Sequence, residues 1–295
     1  RTAPRYTAAV DNPIIVALDL PSPQKALKLA EELAPLVGAF KVGKQLFVSG
    51  GPDVVRKLRA TGAKVFLDLK LHDIPNTVAK AVIAATDLGV QMTTVHASGG
   101  TAMLAAAENA AHEQAAMLRA EAPLVLAVTV LTSMDDDNLA ELGIAGSVQE
   151  QVLRLAKLAT GAGLRGLVCS PREIEMLRAE LGDDVQLVTP GIRPELSKAD
   201  DQKRTMTPAE AIQAGANWLV IGRPITGAAD PKAAAIGVLH SINPELVPEG
   251  ERREPIPEIV DCAECGQSLK LDATEQAIGR YHCPHCDKDV EHKTG

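Results

Sequence analysis

The stretch Lys64-Val-Phe-Leu-Asp-Leu-Lys-Leu-His-Asp-Ile-Pro-Asn-Thr77 joins an apolar run to a cluster of charges. Its first seven residues predict a buried strand, and side-chain alternation along a strand places Asp68 and Lys70 on one face. Pro75 fixes its own φ and disfavours helix at the residue before it, so the chain turns there and leaves Asp73 at the end of the strand. Two carboxylates therefore flank one ammonium group. Because burying charges costs free energy, a pair in this position indicates a functional site rather than an ordinary surface ion pair.

Seven other short apolar runs also predict strands, with helical patterns between them. The eight predicted strands are residues 14–19, 39–43, 64–70, 91–96, 124–130, 166–170, 186–191 and 217–222. The first helix has Ser22 as its N-cap and Pro23 at its first position, and Thr207 with Glu210 forms a capping box for a later helix. Eight strands that alternate with helices along residues 14–222 predict an α/β fold, a (β/α)8 TIM barrel, for which about 250 residues are typical. A doubly wound open sheet is the alternative.

Polar side chains at the strand ends favour the barrel over the open sheet. In a barrel the C-terminal ends of all strands converge on one mouth, where barrel enzymes build their active sites. In an open sheet, the ends of strands that are far apart in the strand order do not come together. The polar residues that fall at or just past these ends are Asp19, Lys41, Lys70, His96, Thr132, Arg193 and Arg223.

The composition is that of an ordinary globular protein with an aliphatic core, since 46% of the 295 residues are hydrophobic and only 2% are aromatic. The net charge of −8 argues against a nucleic-acid partner for the whole molecule, although it permits a local basic pocket for a small anion. No apolar run approaches the roughly 18 residues of a membrane span, and no apolar signal core follows the first residues. We therefore expect a cytoplasmic protein without membrane contact. Cys169 is expected to be a small buried hydrophobic residue.

A second unit follows the predicted barrel domain, residues 12–242. Residues 243–258 hold four prolines and mixed charge without periodicity, which predicts a linker. Residues 259–291 contain two Cys-x-x-Cys pairs separated by 17 residues, a spacing typical of a zinc-ribbon-like domain. The predicted zinc ligands are Cys262, Cys265, Cys283 and Cys286.

This segment is too small to bury a hydrophobic core that would fold it without a cross-link such as a bound metal ion, so we expect the zinc to be structural. A pair of disulfides and an iron site are the competing interpretations, and a reducing cytosol disfavours the disulfides. His282 and His285 lie nearby but are not expected to bind the metal, because four thiolates already complete a tetrahedral shell.

The loops after the seventh and eighth strands predict a phosphate site, as in many barrels of this kind. They contain Thr189-Pro-Gly-Ile-Arg193, Asp200-Asp-Gln-Lys-Arg204 and Ile221-Gly-Arg-Pro224. Glycine permits close approach of the backbone, and arginine offers a fork of donors that matches phosphate oxygens. The alternative is that these arginines make solvated surface pairs.

With these residues in place, the chain resembles the orotidine 5′-phosphate decarboxylases from residue 12 to about residue 240. The resemblance rests on Val16-Ala-Leu-Asp19, Phe40-Lys-Val-Gly43, the Asp68 to Thr77 segment, Val95-His-Ala97, Val128-Thr-Val-Leu-Thr-Ser133, Thr189-Pro-Gly-Ile-Arg193, Asp201-Gln202 and Ile221-Gly-Arg223. It implies decarboxylation of orotidine 5′-phosphate to uridine 5′-phosphate in pyrimidine synthesis, without a metal or organic cofactor for catalysis. The four-cysteine module departs from the usual family pattern, which ends with the barrel.

The resemblance also implies roles for individual residues. Lys70 would protonate C6 of the pyrimidine within a charged chain that includes Lys41, Asp68 and Asp73. Asp73 and Thr77 would reach the partner subunit's site in a homodimer with shared sites. The remaining roles are ribose binding by Asp19 and Lys41, pyrimidine binding by Thr132, and phosphate binding by Arg193, Gln202, Gly222 and Arg223. His96 lies outside this set and is expected to be structural.

Two alternatives remain open. Magnesium-dependent sugar-phosphate decarboxylases and synthases of the same superfamily share the Asp-x-Lys-x-x-Asp strand, but their second strand is acidic where this chain has Lys41. The other alternative is an inactive barrel scaffold that carries a zinc-ribbon interaction module. Residues 251–295 have a net charge of −4, from six Lys and Arg against ten Asp and Glu, so a protein partner or simple stabilisation suits this module better than nucleic acid.

Overall fold

The computed structural model describes residues 11–193, 206–252, 256–271 and 273–291, and its main feature is a closed barrel of eight parallel strands. Each strand pairs with its neighbours in sequence, and the first strand closes on the eighth. The strands are β1 (Ile14–Ala17), β2 (Ala39–Gly43), β3 (Val65–Leu71), β4 (Met92–His96), β5 (Leu124–Val128), β6 (Gly166–Val168), β7 (Gln186–Pro190) and β8 (Trp218–Ile221). The predicted TIM barrel is confirmed. Strands β1, β5, β6, β7 and β8 end one or two residues before the predicted ends, and β3 runs one residue beyond its predicted end, to Leu71.

Helices surround the barrel. They are α1 (Pro23–Leu33), α2 (Lys44–Ala60), α3 (Pro75–Asp87), α4 (Gly100–Leu118), α5 (Asp136–Glu141), α6 (Val148–Gly161), α7 (Ile174–Leu181), α8 (Pro208–Gln213), α9 (Arg223–Thr226) and α10 (Pro231–Ile242). The Ser22 hydroxyl accepts the Lys25 N–H, and Thr207 and Glu210 cap each other, as the sequence predicts. None of the helices in the described ranges is long and apolar enough to cross a membrane.

Two apolar layers position the functional end of the barrel. The larger layer lies between the sheet and the helices, and the smaller one fills the barrel interior with side chains such as Ile15, Phe66 and Leu126. At the N-terminal ends of β7 and β8, the buried Trp218 indole donates a 3.2 Å hydrogen bond to Gln186. This end of the barrel is therefore packed, and the open space lies at the C-terminal ends of the strands.

A small second unit follows the barrel, with two antiparallel pairs of strands and one short helix. Its elements are β9 (Ile259–Asp261), β10 (Ser268–Lys270), α11 (Ala273–Ile278), β11 (Arg280–Cys283) and β12 (Lys288–Glu291). It has a core of its own, to which Val260, Leu269 and Tyr281 belong. The unit contacts the barrel, since Ile278 packs against the barrel's apolar layer and Arg280 lies 3.5 Å from Asp230 at the start of α10.

The segment predicted as a linker is partly packed against the barrel. It contains the short 3-10 turns Pro244–Leu246 and Glu249–Glu251, and Val247 between them is buried in the barrel's apolar layer. Arg252 donates to the Val247 carbonyl oxygen at 2.7 Å. The predicted boundaries at 242 and 258 remain predictions.

Candidate active site

Alternating charges form a chain across the C-terminal ends of β1, β2 and β3. The Lys41 Nζ lies 2.9 Å from Asp19 Oδ1 and 3.8 Å from Asp68 Oδ2. The Lys70 Nζ donates to both Asp68 oxygens, at 2.8 and 2.7 Å. Asp68 is thus shared by two ammonium groups, and four of the predicted residues form one continuous network.

Asp68 keeps its negative charge in this network although it is buried. Burial acts to raise the pKa of Asp68, but the charges of Lys70 and Lys41 and hydrogen bonds from Lys70 and Thr94 outweigh it, so the pKa lies below its ordinary value of 3.8. Asp19, at the outer end of the chain, has a side chain that is 55% exposed. The network therefore runs from a buried ionised carboxylate to one that solvent and ligand can reach.

Gly43, the last residue of β2, leaves room for this network. A Cβ atom at position 43 would lie 2.8 Å from Asp19 Oδ1 and 3.0 Å from Lys41 Nζ, both closer than ordinary van der Waals contact. A side chain here would displace one of the two charged groups. Gly43 belongs to the sequence motif Phe40-Lys-Val-Gly43, but this role depends on the packing of two strands and has no signal in the sequence.

Thr94 on β4 is a second residue that the sequence analysis missed. It is fully buried, and its hydroxyl donates to Asp68 Oδ1 at 3.0 Å while accepting the backbone N–H of Lys70 at 2.8 Å. A threonine in a buried strand usually indicates only β propensity, so no sequence signal marked it.

A cavity of about 800 Å³ opens at the C-terminal end of the barrel beside the charged network. Phe66, Val128, Leu131 and Ile192 contribute apolar walls. The predicted site residues that line the cavity are Asp19, Lys41, Asp68, Lys70, Thr132, Arg193, Gly222 and Arg223. Gln202, the remaining predicted phosphate ligand, lies outside the described residues.

Asp73 and Thr77 do not line this cavity, although the sequence pattern placed Asp73 beside Lys70. Both residues are exposed in the loop and first turn that lead from β3 into α3, and the Asp73 carboxylate accepts the N–H of Ile74 at 2.6 Å. The expectation of two carboxylates around Lys70 within one chain is therefore met only by Asp68. Pro75 begins α3, and the loop before it does not contribute to the cavity lining of its own chain.

His96 also lies outside the cavity lining. Its ring is 5.4 Å from that of His72, and burial together with the neighbouring His72 lowers the pKa of His96. Cys169 is buried as expected, and burial raises the pKa of its thiol to about 12, so it remains a neutral thiol.

The four C-terminal cysteines converge on one point. Their sulfur atoms all lie within 4.8 Å of one another, with Cys262–Cys286 and Cys265–Cys283 distances of 3.9 and 3.6 Å. Tetrahedral zinc with Zn–S bonds of about 2.3 Å requires sulfur atoms roughly 3.8 Å apart. The arrangement therefore fits a single tetrahedral metal ion.

Two matching turns build this cluster. The Gly266 N–H donates to the Cys262 carbonyl oxygen at 2.7 Å, and the Asp287 N–H donates to the Cys283 carbonyl oxygen at 2.9 Å. Gly266 and Asp287, each one residue after a Cys pair, have positive φ values of 73° and 55°. The repeated turn directs both sulfur atoms of each pair toward the same point.

Comparison with known proteins assigns the barrel to a family. The profile of the orotidine 5′-phosphate decarboxylase / HUMPS family matches residues 12–237. A protein of Sodalis glossinidius named orotidine 5′-phosphate decarboxylase is 52% identical over 233 residues, which cover 79% of this chain and 91% of the relative. A relative with the same name from Moorella thermoacetica is 54% identical over 230 residues, 78% of this chain and 91% of the relative.

The chain belongs to the orotidine 5′-phosphate decarboxylase / HUMPS family.

A solved structure agrees with this assignment. The crystal structure of orotidine 5′-phosphate decarboxylase from Lactobacillus acidophilus superposes with a TM-score of 0.70 at 43% identity, covering 79% of this chain and 99% of that chain. The resemblance predicted from the sequence is therefore confirmed. The four-cysteine cluster begins after residue 237, beyond the part that the family profile matches.

Proposed function

We propose that this protein decarboxylates orotidine 5′-phosphate to uridine 5′-phosphate and carbon dioxide. The observation that best supports this proposal is the position of Lys70 in the wall of a cavity that Arg193 and Arg223 also line. The Lys70 ammonium donates there to both oxygens of the ionised Asp68. The relatives at 52 and 54% identity bear the name of this enzyme, which confirms the predicted reaction at the level of the family. The roles of individual residues that follow are our assignments.

The chemistry needs an acid beside the carbon that loses carbon dioxide. When the bond between C6 and its carboxylate breaks, carbon dioxide leaves and the electron pair stays on C6. The Lys70 ammonium stabilises this charge and donates a proton to C6, forming the C–H bond of the product, and then regains a proton from solvent. Asp68, beside the position we assign to the substrate carboxylate, repels that group before the bond breaks.

Binding of the nucleotide is divided among the other cavity residues. Asp19 and Lys41 hold the ribose hydroxyls, Thr132 contacts the pyrimidine, and the phosphate lies against Arg193, Gly222 and Arg223, with Gln202 as a further ligand. Guanidinium groups match phosphate oxygens in geometry and charge. Binding free energy gained at the phosphate can order the site around the reacting ring.

An absorbance assay with orotidine 5′-phosphate in the presence of a chelator tests the activity. We expect turnover by the wild type and by Lys64→Ala, which removes an exposed lysine just before β3, and none by Lys70→Ala. Retained turnover in Lys70→Ala would reject Lys70 as the proton donor.

The same assay addresses the two alternatives. If wild-type protein is inactive with the nucleotide but gains activity on a sugar phosphate with magnesium, the protein belongs with the magnesium-dependent branch. Lack of activity in both assays would favour an inactive scaffold.

A homodimer with shared sites accounts for the position of Asp73 and Thr77. Both side chains are exposed in the single chain, and so is the intervening Ile74, an apolar side chain that is 66% exposed. An interface that buries this segment would bring Asp73 to the partner's cavity.

Hybrid dimers test this arrangement. Mixing Lys70→Ala chains with Asp73→Ala chains should restore about a quarter of wild-type activity, because half of the dimers are hybrids and each hybrid has one complete site of two. If Asp73 served its own chain, no mixture would regain activity.

The four-cysteine cluster is assigned to structural zinc. Zinc would be held by Cys262, Cys265, Cys283 and Cys286, and bound there it would fix the two turns against each other. Protein contact through this module and the cytoplasmic location of the enzyme remain predictions.

A further inference from the structure

The backbone of β3 is irregular at the residue assigned to proton transfer. Leu67 pairs with Thr93 and Leu71 pairs with Val95, so three residues of β3 stand opposite the single residue Thr94. Lys70, within this bulge, has a φ of 53°. A non-glycine residue in the left-handed region is strained, and such strain persists only where surrounding structure holds it.

Thr94 supplies the interactions that hold the bulge. Its hydroxyl oxygen accepts the Lys70 N–H at 2.8 Å, which gives the backbone of the bulge a partner from the side chain of β4. The same hydroxyl donates its hydrogen to Asp68 Oδ1 at 3.0 Å. A hydroxyl has one hydrogen to give and lone pairs to accept with, so a single group can serve both partners.

We propose that Thr94 is a positioning residue for the decarboxylation, because its hydroxyl fixes the backbone of Lys70 and the carboxylate of Asp68 relative to each other. Thr94 is fully buried and does not line the cavity, so it acts through these two residues and not on the substrate. The inference rests on the proposed roles of Lys70 and Asp68. A displacement of about 1 Å of an acid from its target can cost roughly 100-fold in rate.

The neighbouring Thr93 provides a matched control. It is equally buried on the same strand, but alternation directs its side chain to the other face, and its hydroxyl has no hydrogen-bond partner in the described part of the chain. Replacing either threonine by valine keeps the shape and removes only the hydroxyl. Thr93→Val therefore measures how the loss of a buried hydroxyl from β4 affects the kinetics when no hydrogen bond to Lys70 or Asp68 is removed.

The test compares the kinetics of Thr94→Val, Thr94→Ser and Thr93→Val with the wild type. For Thr94→Val we expect kcat to fall by about 10- to 100-fold with KM nearly unchanged, because the transition state loses its aligned acid while the phosphate contacts remain. Thr94→Ser retains the hydroxyl and should recover most of kcat. Thr93→Val should match the wild type.

Binding of uridine 5′-phosphate, measured by calorimetry, gives a readout independent of turnover. We expect the same Kd for wild type and Thr94→Val, which would show that the variant is folded and that the loss lies in the chemical step. If Thr94→Val does not fold, Thr94→Cys replaces it, because a thiol is a weaker donor and acceptor of similar size; an intermediate kcat is expected.

Three outcomes would overturn the proposal. These are wild-type kcat in Thr94→Val or Thr94→Cys, an equal loss of kcat in Thr93→Val and Thr94→Val, and no recovery in Thr94→Ser. An inactive wild type would instead refute the proposed function, so the two failures are distinguishable.

Discussion

The substitution Gly43→Ala tests whether the contact between Asp19 and Lys41 matters for the reaction. The added Cβ would lie 2.8 Å from Asp19 Oδ1, so this oxygen must retreat by about half an ångström to reach ordinary contact distance. The 2.9 Å ion pair with Lys41 then stretches beyond hydrogen-bond length, which is about 3.2 Å at most. The Asp19 side chain is half exposed and free to turn away, so the backbone need not move.

The magnitude follows from the bond that is lost. A charge-assisted hydrogen bond contributes about 1.5–3 kcal/mol, and exposure of Asp19 reduces this to roughly 1–1.5 kcal/mol. If Asp19 and Lys41 bind the ribose as proposed, kcat/KM should fall about tenfold. The free energy of unfolding should change by less than about 1 kcal/mol, because the φ of Gly43 is −87°, which alanine adopts without strain.

The absorbance assay is run on Gly43→Ala, Asp19→Ala and the double variant, with Gly161→Ala as the control. Gly161 ends α6 and has no atom within 4 Å of the Cβ it would gain, so this change should leave kcat/KM unaltered. Because the closest contact of the added Cβ is with Asp19, most of the loss should disappear once Asp19 is already alanine, and the 3.0 Å contact with Lys41 Nζ accounts for any small remainder. Fully additive losses in the double variant would refute this explanation and indicate that the added Cβ acts on Lys41 or on the backbone.

Three further predictions concern the phosphate, the metal and acid stability. Arg223→Ala should weaken inhibition by inorganic phosphate and raise KM by about 10- to 100-fold. The control Arg56→Ala, which removes an exposed guanidinium on α2, should change neither quantity. Unaltered phosphate inhibition in Arg223→Ala would contradict the assignment of Arg223 to the phosphate. Elemental analysis should find one zinc per chain in wild type and in Cys169→Ala and none after deletion of residues 258–295, with the barrel still active; metal-free intact protein would reject the zinc site. The pKa of Asp68 is lowered in the folded state, so the contribution of this carboxylate to the free energy of unfolding is complete above pH 3.8 and is lost as pH falls below that value. Urea unfolding of the wild type at decreasing pH should show this loss of stability. In Asp68→Asn the part of the pH dependence that comes from Asp68 should be absent.

The stretch from Lys64 to Thr77 predicted a large part of the site because its pattern is local. Strand alternation brought Asp68 and Lys70 together, and the convergence of strand ends in a barrel placed Lys41 with them. The structure has these contacts at 2.7–3.8 Å. The same local pattern failed for Asp73, because Pro75 begins α3 and the preceding loop leaves the cavity of its own chain.

By itself the sequence determined the order of eight strands and their helices, the residues at the strand ends and the spacing of the cysteines. These depend on periodicity and on neighbours along the chain, which the sequence displays directly. Only the tertiary structure decided the role of Gly43, which leaves space for charges from two strands, and that of Thr94, which holds a bulge in the adjacent strand. Both roles depend on which atoms of separate strands approach within about 3 Å, and that distance is set by packing and register.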